Sequence, residues 1–81
     1  MSKWAEQMMA SLAQVKPYQA RVLEERAQLL ERWRKLTQFL DTDTFANDVP
    51  IDEQRRLVCQ QHIMAVYLNI LDERIAAWPQ H

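Results

Sequence analysis

The chain has 81 residues, a formal net charge of -1 and no glycine, which leaves room for one small domain and removes every glycine-dependent phosphate loop. Its single cysteine excludes an internal disulfide framework and a cysteine-rich zinc site. Ten basic residues against eleven acidic ones give none of the basic excess expected of a binder of polymeric DNA or RNA.

Three helices are expected along the chain. The first runs from about Ser2 to Val15, with Ser2 as N-cap and Trp4, Met8, Met9, Leu12 and Val15 forming an apolar stripe at spacings of three and four. Pro17 ends that pattern, because the residue before a proline is pushed out of the helical region. Proline is also favoured at the first position of a helix, so a second helix is expected over residues 17–40. Its seam is Val22, Leu29, Trp33, Leu36 and Leu40, widened by Leu23, Leu30 and Phe39. Asp41, Thr42, Asp43 and Thr44 offer competing side-chain caps, Phe45 is expected to anchor a short turn, and residues 47–50 read as a loop. A third helix is expected over residues 51–78, with Asp52 and Glu53 favourable in its first turn. Leu57, Gln61, Met64, Leu68, Leu71, Ile75 and Trp78 make a heptad-like seam with one polar member, flanked by Ile63, Tyr67 and Ile70.

The expected fold is therefore all-α: a long antiparallel helical hairpin with an additional N-terminal helix, forming one domain over residues 1–81. Apolar faces this wide exceed what two helices can cover for each other. The N-terminal helix folding back and self-association are both expected. No apolar run approaches the roughly 20 residues of a membrane span and no signal peptide is visible, so a cytosolic chain without membrane contact is expected.

Enzymatic chemistry finds little support. Cys59 and His62 share a helix at i, i+3, but a metal site needs three or four ligands and His81 is terminal. The same pair as nucleophile and base lacks any group to orient the histidine or build an oxyanion hole. Glu31 with Lys35, and Glu25 near Arg21, read as ordinary surface pairs. No catalytic residue, metal or cofactor is expected.

A small anionic ligand is a different matter, because two or three well-placed cations suffice. Arg21, Arg26, Arg32, Arg34 and Lys35 fall on the second helix, and Arg55, Arg56 and Arg74 on the third. The segment from Lys16 to Arg21 opens a helix, where free backbone N–H groups and the positive dipole end favour phosphate. Tyr18 there suits stacking on a base, with Gln19 beside it; the bland alternative is a tyrosine packed at a helix junction.

Tyr18, Gln19, Ala20, Arg21 and Val22, then Glu25, Leu29, Lys35, Leu36, Phe39, Leu40 and Phe45, continue with Glu53, Leu57, Gln61, Met64, Tyr67, Leu71, Arg74 and Ile75. This ordered pattern, over roughly residues 17–78, resembles a family of very small tailed-phage and prophage proteins related to a crAss-like phage protein. It is similar to the phage anti-CBASS sponges of the second type. The resemblance implies an all-helical homo-oligomer, a hexamer, that acts in the host bacterial cytoplasm. It implies sequestration of the cyclic di- and trinucleotides of an antiviral cyclase, without cleavage, as immune evasion. By that resemblance Tyr18 stacks on a nucleobase and a cation among Arg32, Arg34 and Lys35 binds phosphate. Arg74 matches a basic position suited to a trinucleotide site.

Tyr18 and Lys35 are 17 positions apart, about 25 Å on one continuous helix. They can share a small ligand only from different chains or across a broken helix. A two-fold dimer would present two tyrosines and two cations to a ligand with two bases and two phosphates. The alternative function is a phage-encoded interaction module that inhibits a host protein through a helix face, suggested by Trp4, Met8 and Met9.

Overall fold

A computed structural model describes residues 15–79. Three helices follow in order: α1 over Pro17–Leu40, α2 over Asp43–Asp48 and α3 over Ile51–Ala76. The expected N-terminal helix lies outside the described residues, apart from Val15. Among the described residues there is no strand, and every segment is helix, turn or short connection.

α1 begins where the sequence places it. Pro17 occupies the first turn, where its missing N–H costs nothing, and Lys16 is the extended N-cap at φ -73° and ψ 157°. Gln19 completes the start: its side-chain oxygen accepts the Lys16 backbone N–H at 2.9 Å. The other end stops after Leu40, where Thr42 serves two roles. Its hydroxyl donates to the Phe39 carbonyl at 2.6 Å and accepts the Phe45 N–H at 3.2 Å. One side chain thus satisfies the end of α1 and caps the start of α2.

The chain between the long helices is more ordered than its composition suggests. Asn47 and Asp48, expected in a loop, complete the six-residue α2. The stabilising group comes from α3: Gln54 Nε2 donates to the carbonyls of Phe45 at 3.1 Å and Val49 at 2.9 Å. Those carbonyls would otherwise be orphans at the end of a very short helix. Phe45 anchors the connection as expected, its ring edge-on to Phe39 with centroids 5.8 Å apart.

α3 starts after Pro50 with Asp52 and Glu53 in its first turn and ends with Arg74 in its last, both matching the helix dipole. It stops at Ala76, two residues short of the expected Trp78. The Trp78 N–H bonds instead to the Ile75 carbonyl at 3.2 Å in a tightened terminal turn.

α1 and α3 pack antiparallel along their apolar seams. Val22, Leu29, Leu68 and Leu71 are buried, with Leu30, Trp33, Met64, Ile75 and Trp78 packed around them. Leu71 alone is fully enclosed among the described residues. Two side-chain pairs fix the register. Arg26 Nε bonds the Asp72 carboxylate, and Gln61 Nε2 donates to Thr37 Oγ1 at 3.0 Å. Eleven residues forward from Arg26 to Thr37 match eleven back from Asp72 to Gln61, so both pairs obey one alignment. Gln61, the polar member of the expected seam, is thereby satisfied rather than stranded.

Candidate functional site

Tyr18 stands in the first turn of α1, half-exposed at 44%. Its ring lies edge-on to Trp78, centroids 6.3 Å apart and planes at 84°. That contact orients the ring at the open end of the hairpin while leaving part of it in solvent. Gln19 is committed to holding this turn: its oxygen takes the Lys16 N–H, and its Nε2 donates to the Tyr18 hydroxyl at 3.4 Å. These two bonds tie Gln19 to the same turn as Tyr18.

The side of the hairpin on which each cation falls follows from helical periodicity and the observed register. Successive side chains rotate by about 100°, so Arg26 and Thr37 share one flank of α1, which adjoins Asp72 and Gln61 of α3. Arg34 falls on that same side. Arg21, Arg32 and Lys35 fall on the opposite flank, which adjoins the α3 stripe of Ile63, Tyr67, Ile70 and Arg74. The three candidate cations of the central stretch are thus divided: Arg32 and Lys35 together, Arg34 apart.

Distances along the axis separate them further. The register sets Arg74 level with Glu24, six residues from Tyr18, or about 9 Å at the usual rise. Tyr18, Arg21 and Arg74 accordingly lie toward the same end of a single chain. Arg32 and Lys35 do not join them. α1 is unbroken from Pro17 to Leu40, so the 17 residues between Tyr18 and Lys35 keep them about 25 Å apart. Of the two routes to a shared ligand, a broken helix is removed. Within one chain these groups are too far apart to touch one small ligand.

The electrostatics distinguish the cations. Lys35 faces Glu31 one turn away at 3.6 Å, as expected, and Arg56 pairs with Glu53 at 2.8 Å. Both pairs are exposed and weak. Arg26 is held by the Asp72 carboxylate, whose hydrogen bond and charge raise the guanidinium above its ordinary pKa. Arg21, Arg32, Arg34 and Arg74 make no ion pair with another described residue. They are exposed and keep their full hydrogen-bonding forks available. The expected pair of Glu25 with Arg21 does not form.

Cys59 and His62 are both exposed on the outer side of α3. Among the described residues no three histidine, cysteine or acidic side chains gather as a metal site. No helix of the described residues is long and apolar enough to cross a membrane.

Two features of the site escaped the sequence. Trp78, read only as a seam residue, is the ring that orients Tyr18; the antiparallel hairpin, which joins the start of α1 to the end of α3, carried that signal. The second is an open groove lined by Ile63, Val66, Tyr67 and Ile70, with His62 at its edge. Ile63, Tyr67 and Ile70 read as a flanking stripe; that Val66 and His62 join them around one groove needed the packing of the hairpin.

Fold and site together define a class: a small all-helical hairpin whose chemistry is one oriented aromatic ring and a set of exposed arginines. The chain belongs to the Sequestin family, whose model matches residues 16–77. That span takes in both long helices, Tyr18 and every candidate cation, and begins just after residues 1–15. No curated protein and no solved structure matches the chain.

Proposed function

We propose that this protein is a non-catalytic sponge for cyclic di- and trinucleotide second messengers, encoded by a phage or prophage against bacterial CBASS defence. It holds the signal in the host cytoplasm without cleaving it, so that the effector stays silent. The family description, Sequestin, supports sequestration. The resemblance of residues 17–78 to the anti-CBASS sponges supports the ligand class.

The observation that carries the reading is the separation of Tyr18 from the central cations on an unbroken helix. Tyr18 is an oriented, half-exposed ring suited to stacking on a base. Arg32 is an exposed guanidinium with no carboxylate partner among the described residues, suited to bidentate phosphate binding. A complete pocket therefore needs Tyr18 of one chain and Arg32 of another. A two-fold pair of chains offers two of each, which matches two bases and two phosphates. The active form is a homo-oligomer, with a hexamer formed from three such pairs. Arg21 and Arg74, close to Tyr18 along the axis, supply the further charge that a third phosphate needs.

Calorimetric titration with a panel of cyclic di- and trinucleotides tests this. Binding is expected to be lost in Tyr18→Ala and severely weakened in Arg32→Ala, with Arg34→Ala close to the parent because it lies on the other side of the hairpin. Absence of heat with the entire panel would sink the proposal.

A further inference from the structure

The α3 groove is a different kind of surface from the site above. Ile63 is 63% exposed, Val66 61% and Ile70 48%, and they lie within two turns of one helix. They border an open groove of about 340 Å³ whose lining is almost wholly apolar. Its one titratable ring besides Tyr67 is His62, so it offers a phosphate-bearing ligand almost nothing. A contiguous exposed stripe of this kind calls for an apolar occupant.

We infer that the occupant is the N-terminal segment of this same chain, residues 2–14, laid along α3 with Trp4 and Met8 in the groove. The first support is where that segment is attached. α1 starts at Pro17, and the Tyr18–Trp78 contact puts this start at the same end of the hairpin as the end of α3. The extended Lys16 allows the chain to turn back there.

The second support is length. The register sets Ile70 level with Gln28, eleven residues beyond Pro17, or about 17 Å along the axis from the start of α1. Trp4 and Met8 precede Pro17 by thirteen and nine residues, about 20 and 14 Å if helical. Trp4 then arrives between Tyr67 and Ile70, and Met8 between Ile70 and Arg74. The third support is pattern. Trp4, Met8, Leu12 and Val15 repeat at four, four and three, so one helical face meets the stripe.

The test uses the full-length chain with Cys59→Ser, carrying Met8→Cys and Ile70→Cys, treated with a short bis-maleimide. The expected result is a cross-link within one chain, migrating as a monomer on a denaturing gel. The control pair Met8→Cys and Ala27→Cys, with Ala27 on the outer face of α1, is expected to give none. Hydrogen exchange on the full chain gives a second reading. Amides of residues 4–12 should be protected in the parent and lose that protection in Ile70→Asp, while α1 and α3 keep theirs. Cross-links found only between chains would make a second copy the occupant and overturn the inference. So would the absence of a cross-link, or protection of residues 4–12 indifferent to Ile70→Asp.

Discussion

Leu71→Ala is the sharpest probe of the hairpin core. Leu71 is 0% exposed and is the only fully enclosed side chain among the described residues. Removing its outer carbons forfeits roughly 0.8 kcal/mol for each methylene equivalent, and the cavity left behind brings the total to about 3–5 kcal/mol. A chain of 81 residues has a stability of only about 4–12 kcal/mol by the usual per-residue range. One substitution thus removes a large part of it, and the midpoint should fall by at least 10 °C or so. Thermal and urea unfolding followed by far-ultraviolet circular dichroism measure this, at one fixed chain concentration because the proposed self-association would add to apparent stability. Ile51→Ala, at a site 65% exposed, serves as control and should change stability by no more than about 0.5 kcal/mol. A loss below about 1 kcal/mol for Leu71→Ala would refute the packing described, because a collapsed or uncommitted core is the only way to escape the cavity cost.

Other consequences follow from individual contacts. Thr42→Ala should cost about 1 kcal/mol, the usual value of an N-cap, and should lower amide protection in α2 before α1 or α3, as hydrogen exchange would read. Gln61→Ala should destabilise by about 1 kcal/mol by stranding Thr37, whereas Thr37→Val with Gln61→Leu should be near neutral. A double variant as unstable as the single one would mean that the Gln61–Thr37 bond does more than satisfy two polar groups. Trp33→Phe should cost less than a typical core truncation, because its buried Nε1–H has no partner among the described residues and its removal relieves a desolvation cost; urea midpoints check this.

Much of the hairpin was legible because helical periodicity and proline are strong local signals. Pro17 and Leu40 bound α1 where the pattern broke, and the Leu68 and Leu71 seam followed from apolar spacing. α2 was missed because its stability depends on Gln54, six residues beyond its end, reaching back to carbonyls that no local rule connects to it. Of the site, Tyr18 and its neighbouring arginines were readable as residue types at a helix start. The division of Arg32 and Lys35 from Arg34 needed the interhelical register, which the Arg26–Asp72 and Thr37–Gln61 pairs supply. The capping bond of Gln19 to the Lys16 N–H was not read from the sequence, because a capping amide and a ligand-binding amide are the same residue type.

Composition sharpened rather than shifted in meaning. Without glycine, a phosphate has no backbone loop to sit in, and guanidinium forks on helix flanks remain. Near-zero net charge speaks against a polymeric nucleic acid and leaves room for a small anion met by a few local cations.

The central claim is that one ligand is shared between chains, Tyr18 from one and Arg32 from another. Its most direct measurement is the calorimetric stoichiometry of a cyclic dinucleotide with the full-length chain. Sharing across a two-fold axis predicts one ligand for every two chains, lost on Tyr18→Ala while the oligomer persists by light scattering. One ligand per chain, or binding that survives Tyr18→Ala unchanged, would contradict the account.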